Sequence, residues 1–174
     1  YHNLYTVIND MLIGVLGVTG STIFSVNNDR LLVEASNISR QDLKSMKPVE
    51  DRILMSECMK GKLTVFSEAV LVEEISRARN IRSAAAIPLM KKEQCTGVIY
   101  LEHAVPEHFH QEDSKFLNTL AIAVRLSIDN AQLYSSLEDM VLRDGLTGLY
   151  NGAYFNKELN NCIDIHNKYG TPFI

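Results

Sequence analysis

The chain has 174 residues, 17 Lys plus Arg against 21 Asp plus Glu for a formal charge of −4, with 46% hydrophobic and 22% charged residues. A length above ~150 residues buries one full core without metal or disulfide staples, so this composition excludes a disordered chain and a stapled mini-protein. Its scattered, slightly acidic charge offers no dense positive surface to a phosphate backbone, and nucleic acid is not an expected partner.

The three cysteines, Cys58, Cys95 and Cys162, form no C-x-x-C pair and read as reduced, mostly buried thiols of a cytoplasmic protein. The longest apolar run, residues 11–18, contains two glycines and falls far short of the ~20 residues of a spanning helix, so no membrane contact is expected. The chain opens on Tyr1-His2-Asn3 without an initiator Met or leader features, the pattern of an internal fragment whose upstream sequence is missing.

In chain order, Leu4, Val7, Ile8, Met11, Leu12, Val15 and Leu16 recur at spacings of three and four and predict an amphipathic helix, ended by residues 17–21. Residues 22–26 and 31–35 are β-rich runs on either side of Asn27-Asn28-Asp29-Arg30 and predict a hairpin. Further on, Pro48 is expected to open a helix carrying Ile53, Leu54, Cys58 and Met59, with Gly61 as its C-cap. A short strand at residues 63–66 and a charged, helix-compatible stretch at 72–79 follow. Residues 84–90 and 95–102 predict a second strand pair across Lys91-Lys92-Glu93-Gln94. Pro88 lacks a ladder donor and places its strand at an edge or at a bulge. Together these elements make an α+β domain, with antiparallel hairpins and helices on a sheet face.

The longest element, residues 111–143, is a helix of about 30 residues with two apolar faces. Leu117, Ala121, Val124, Ile128 and Ala131 make one seam; Ala123, Leu126, Asn130, Leu133, Leu137 and Met140 make the other. At ~100° per residue, Leu117 and Leu126 lie on opposite sides, so one face covers the sheet while the other meets a partner. The polar Asn130 is of the kind that fixes register in a parallel two-stranded coiled coil. For Leu126 and Asn130 the N-terminal helix of the same chain is an equal alternative cover; for Leu133 to Met140 a homodimer is the favoured reading.

Two regions resemble known families. Residues 4–137 resemble a GAF domain, the small-molecule sensor fold related to PAS. The resemblance is carried by Ala86-Ile87-Pro88-Leu89, Gly97-Val98-Ile99-Tyr100-Leu101, Phe109 spaced before Asp113, Leu117, Leu120-Ala121, and Asp129-Asn130-Ala131-Gln132-Leu133-Tyr134. His110 stands where the family usually has a Thr or Ser cap. The second region, Asp144-Gly145-Leu146-Thr147-Gly148-Leu149-Tyr150-Asn151 with Phe155 after it, resembles the D-x-L-T-G-L-x-N motif that opens GGDEF domains, the diguanylate cyclases that join two GTP into cyclic di-GMP. Gly152-Ala153 departs from that pattern, which generally carries one or two arginines. The resemblance implies a GAF domain over residues 1–134, a coiled-coil linker over 135–143, and the start of a GGDEF domain over 144–174. It implies a bacterial signalling protein in which a GAF module regulates a covalently attached cyclase. The metal-binding carboxylate and the G-G-[DE]-E-F turn of that family would lie past Ile174. The fragment itself is therefore expected to need no cofactor and to be catalytically inert, whereas its parent would need Mg²⁺ and GTP.

By analogy with the fold, Thr22, Phe24, Phe66, Ser83 and Ala85 would line a ligand pocket for an unidentified small molecule; Phe24 and Phe66 read equally well as core aromatics. His103, His108 and His110 cluster in sequence but lack a matching ligand spacing, and solvated loop histidines are the favoured reading. A redox pair of Cys58 and Cys95, as in GAF-fold enzymes that reduce free methionine sulfoxide, is the rival enzyme reading. A ligand-free dimerisation spacer is another. No bilin-attachment or cyclic-nucleotide pattern is present around these cysteines or at residues 102–109. Arg77, Arg79 and Arg82 form a small basic cluster balanced by Glu73 and Glu74.

Overall fold

The computed structural model describes residues 2–28, 30–49, 54, 56, 60, 61, 63–67 and 80–172. Its elements run α1 (His2–Leu16), β1 (Gly20–Asn27), β2 (Arg30–Ser36), α2 (Arg40–Val49), β3 (Thr64–Ser67), β4 (Ser83–Lys91), β5 (Gln94–His103), a 3₁₀ turn (Gln111–Asp113), α3 (Ser114–Leu142) and α4 (Gly152–Tyr169). They divide into two units, Tyr1–Asp129 and Asn130–Ile174.

In the first unit every strand pairs antiparallel, in the order β2-β1-β5-β4-β3, which is the expected α+β architecture. The runs Val98-Ile99-Tyr100-Leu101-Glu102 of β5 and Ala84-Ala85-Ala86-Ile87 of β4 are buried at every position. Strands of this kind have both faces covered, and two apolar clusters do so here. On one face Ile23, Ala85, Ile87, Leu89, Ile99 and Leu101 meet Ile8 and Leu12 of α1 and Leu117, Ala121, Val124 and Ile128 of α3. On the other face Phe24, Ala84, Ala86, Val98 and Tyr100 meet Ile38, Leu54 and Ile81.

α1 stops where Gly17 takes a φ of +62° and returns its N–H to the Ile13 carbonyl at 2.9 Å, a left-handed C-cap that needs no Cβ. The β4–β5 turn falls at the expected residues, with Lys92 at a φ of +55°. β4 is flanked by β5 and β3 and is thus an interior strand; among the described residues β3 pairs with Ser83 to Ala86. Pro88 stands opposite Val98 of β5, and the irregularity expected of a proline strand lies just beyond, between Leu89 and Met90.

The middle of the chain departs from expectation. Pro48 lies in the last turn of α2 instead of opening a helix. The helix begins earlier because Ser39 caps it: Ser39 Oγ accepts the Asp42 N–H at 3.2 Å and donates to Asp42 Oδ2 at 2.6 Å. Of the expected helix over residues 53–59 only Leu54 and Ser56 are described, with Leu54 buried. The charged stretch 72–79, with Arg77 and Arg79, lies outside the described residues.

The long helix begins after a 3₁₀ turn, at whose start the Asp113 carboxylate accepts the His110 N–H at 3.0 Å. It then runs to Leu142 without interruption. Leu117, Ala121, Val124 and Ile128 are buried, as the first seam requires. Arg125 is buried with them and pairs with Asp129, which also meets Lys91 Nζ at 3.5 Å. Among the described residues no helix is long and apolar enough to cross a membrane.

Candidate functional site

The sheet face turned away from α1 and α3 carries three buried polar side chains among apolar ones. Strand alternation puts Thr22 and Phe24 of β1, Ala84 and Ala86 of β4, and Val98, Tyr100 and Glu102 of β5 on this face. The cross-strand register builds two rows, Gly20–Glu102–Ala84 and Thr22–Tyr100–Ala86. Each row sets one large polar-tipped side chain between two small ones. Glu102 is buried, and its Oε2 would lie 2.7 Å from a Cβ at position 20, so glycine there leaves room for the carboxyl group. Thr22 Oγ1 and Ser36 Oγ hydrogen-bond at 2.7 Å, and Ser36 Oγ also accepts the Ile38 N–H at 3.0 Å. Asn37 fixes the adjoining strand ends, accepting the Ser21 N–H at 2.8 Å and donating to the Thr19 carbonyl at 3.2 Å. A hydroxyl, a phenol and a carboxyl thus lie within an otherwise apolar, buried face.

The structure brings only some of the expected pocket residues together. Thr22 and Phe24 are neighbours on this face, and Phe66 occupies the β3 register position opposite Ala84. Ser83 and Ala85 lie one residue out of phase, on the opposite face. Ala85 belongs to the cluster under the helices, and Ser83 Oγ accepts the Phe109 N–H at 3.3 Å. The period of a strand is two, so a one-residue shift exchanges the faces, and Ala84 and Ala86 take those places. Tyr100 and Glu102 are polar residues of this face to which the sequence reading did not point. The available signal was a glutamate at the end of an otherwise apolar run.

The histidines separate into a pair and an outlier. His103 and His108 stack with ring centroids 3.7 Å apart and an interplanar angle of 7°, whereas His110 sits at the 3₁₀ turn. Burial and the neighbouring His108 hold the His103 imidazole below its usual range, against the opposing bond to the Gly17 carbonyl. Among the described residues no three His, Cys, Asp or Glu side chains gather as a metal site. Cys95 and Cys162 are half-buried thiols outside any disulfide, and Cys95 Sγ donates to the Gly97 carbonyl at 3.1 Å. Cys58, its expected redox partner, lies outside the described residues.

The second seam of α3 is uncovered. Leu126, Leu133, Leu137 and Met140 are 56%, 62%, 56% and 76% exposed, and Asn130 is exposed between them. α1 buries Ile8 and Leu12 but leaves Val7, Met11 and Val15 in solvent, and it does not close over Leu126.

The segment after α3 folds into a hydrogen-bonded clasp. Asp144 Oδ1 accepts the Leu146 N–H at 3.2 Å, the Thr147 N–H at 2.9 Å and the Thr147 hydroxyl at 2.9 Å. These bonds hold the Asp144 carboxyl below its usual range. Gly148 supplies a φ of +70°, and Arg143 donates to its carbonyl at 2.9 Å while lying over the Tyr150 ring. Asn151 Nδ2 donates to the Val141 carbonyl at 2.6 Å, its Oδ1 accepts the Tyr154 N–H at 2.9 Å as the N-cap of α4, and its own N–H reaches the Leu142 carbonyl at 2.7 Å. Asp144, Thr147, Gly148 and Asn151 thus each have a local task, while Leu146, Leu149 and Phe155 are exposed.

Comparison with known proteins accords with this geometry. Residues 10–128 match the GAF domain family. Among solved structures, a free methionine-R-sulfoxide reductase from Neisseria meningitidis in complex with its substrate is similar at 16% identity and a TM-score of 0.62, covering 75% of this chain and 78% of that one. The GAF domain of a phosphoenolpyruvate-protein phosphotransferase from Coxiella burnetii is similar at 14% identity and a TM-score of 0.61, over 78% of this chain and 86% of that one. GAF3 of Slr1393 from Synechocystis sp. PCC6803, in its photoproduct state, is similar at 14% identity and a TM-score of 0.60, over 78% and 97%. No curated protein matches the chain by sequence. With the five-stranded sheet, the helices on one face and the family match over most of its length, the chain belongs to the GAF family, a sensory and regulatory module of signalling proteins.

Proposed function

We propose that this chain is the sensing and dimerising module of a bacterial, cytoplasmic signalling protein, and that it regulates a covalently attached GGDEF diguanylate cyclase. One observation carries the reading: the Leu126, Asn130, Leu133, Leu137 and Met140 seam is exposed on a helix that ends in the Asp144–Asn151 clasp. Two copies paired in parallel along this seam would bring two cyclase domains face to face, the arrangement a two-GTP condensation requires. A small molecule held on the face of Thr22, Phe24, Tyr100 and Glu102 would act through its different affinity for two arrangements of the helix pair.

The fragment takes no catalytic step of its own in this reading; Mg²⁺ and GTP belong to the attached domain. The test is sedimentation equilibrium of the chain with Leu133→Glu and Leu137→Glu, alongside cyclic di-GMP production by the full-length protein carrying the same changes. A dimer that becomes monomeric, with loss of product, is the expected result. A wild-type monomer at high concentration would refute the dimer. Unchanged product formation by a monomeric variant would refute the regulation.

A further inference from the structure

We propose that the His103–His108 stack is an acid-released latch on the loop that seats α3 against the sheet. His103 is the last residue of β5, and its backbone is fixed by Ser83 opposite it and by the Arg82 N–H on its carbonyl at 3.0 Å. Its ring is held at both nitrogens. Nδ1 accepts the Val105 N–H at 3.0 Å, and the ring donates to the Gly17 carbonyl at the C-cap of α1. A backbone N–H can only donate, so Nδ1 must be bare and the ring neutral. His108 stacks on this ring and meets Phe109 edge-on, with centroids 5.0 Å apart. Phe109 is buried in the cluster that also holds Leu117 of α3. The latch thus joins the end of α1, the end of β5 and the loop entering α3.

Protonating His103 breaks the hold at Nδ1, while the bond to the Gly17 carbonyl, which favours the charged ring, remains. A proton on Nδ1 displaces the Val105 N–H, and the new charge lies face to face with a second imidazole. Around the ring, the residue that caps α1 contributes the Gly17 carbonyl. β4 contributes Ser83, with Arg82 just before the strand, through the cross-strand and backbone contacts above, and the loop contributes His108, with Glu107 before it. His108 is the group whose charge acts on the ring. The His103 imidazole is held below its ordinary value of 6.5, so the folded chain binds fewer protons here than the unfolded chain. This contribution to stability is therefore complete above 6.5 and declines as the pH falls below it, until the folded value is passed.

The experiment is amide hydrogen exchange with imidazole NMR titration on the full chain between pH ~7.5 and ~5. The Val105 and Phe109 amides should lose about tenfold in protection over this range relative to the Ile99 amide, after correction for intrinsic exchange. In His103→Gln, whose side-chain oxygen accepts without titrating, the protection ratio should stay flat. His108→Ala should raise the His103 midpoint. Constant protection in the native chain, or a His103→Gln variant with the native pH profile, overturns the proposal. If His103→Gln does not fold, an unmoved His103 midpoint in His108→Ala overturns it instead.

Discussion

Gly97 of β5 and Phe24 of β1 approach so closely that a Cβ at position 97 would lie 2.4 Å from the Phe24 carbonyl oxygen. It would also lie 3.2 Å from Leu89 Cδ1. The first contact is with backbone in the middle of the sheet, which cannot rotate away. Gly97→Ala should destabilise the fold by about 1–3 kcal/mol in urea unfolding. Gly145→Ala, where nothing lies within 4 Å, should shift it by no more than about 0.5 kcal/mol.

Leu117 and Leu126 mark the covered and the exposed face of α3. Leu117 is buried under the sheet, so Leu117→Ala should cost about 2–5 kcal/mol of unfolding free energy. Leu126→Ala should leave unfolding at low protein concentration within about 0.5 kcal/mol of native. On the proposed dimer, it should weaken self-association in analytical ultracentrifugation. Equal unfolding costs for the two would contradict the two-faced helix.

Asn151→Ala removes the cap of α4 and the bond to the Val141 carbonyl in one step. Loss of an N-cap costs about 1 kcal/mol, so the first turn of α4 should fray. Exchange of the Tyr154 amide reads this directly. Asn151→Asp keeps the cap acceptor and loses the Nδ2 donor, so it should protect Tyr154 while freeing the Val141 carbonyl.

The Asp144 loop should loosen in acid. Its carboxyl is depressed by the Thr147 N–H first, then by the Thr147 hydroxyl and the Leu146 N–H. Such a group stabilises the folded loop above its ordinary value of 3.8, and the contribution is lost as pH falls from there through the folded value. The Thr147 amide should therefore lose protection toward low pH, and Asp144→Asn should abolish that dependence.

Much of this architecture was legible from periodicity. The seams of α3 and the buried half of α1 follow from apolar spacing, because only one stripe of each helix touches the sheet. Asp144, Thr147, Gly148 and Asn151 stood out as a motif by resemblance alone; the bonds and the φ that each supplies to the clasp were not foreseen. The sheet face that carries Thr22 and Phe24 was harder to read. Ala84-Ala85-Ala86 is buried on both sides and lacks the polar and apolar alternation that would tell one face from the other, so Ser83 and Ala85 were expected where Ala84 and Ala86 stand. α2 was hidden because Ser39 and Asp42 carry its start, while Pro48 drew attention to its end. The His103–His108 stack depends on a loop folding back, which no local pattern encodes.

The side chain and backbone of Asn151 together grip Val141 and Leu142 on one side and Tyr154 on the other. A twist arriving along the helix cannot be absorbed by free rotation of the short stretch between them. It must be handed on to α4 or rupture those few bonds, so the junction behaves as a shear pin: stiff under small loads, and disengaged once the load exceeds what these bonds together can bear.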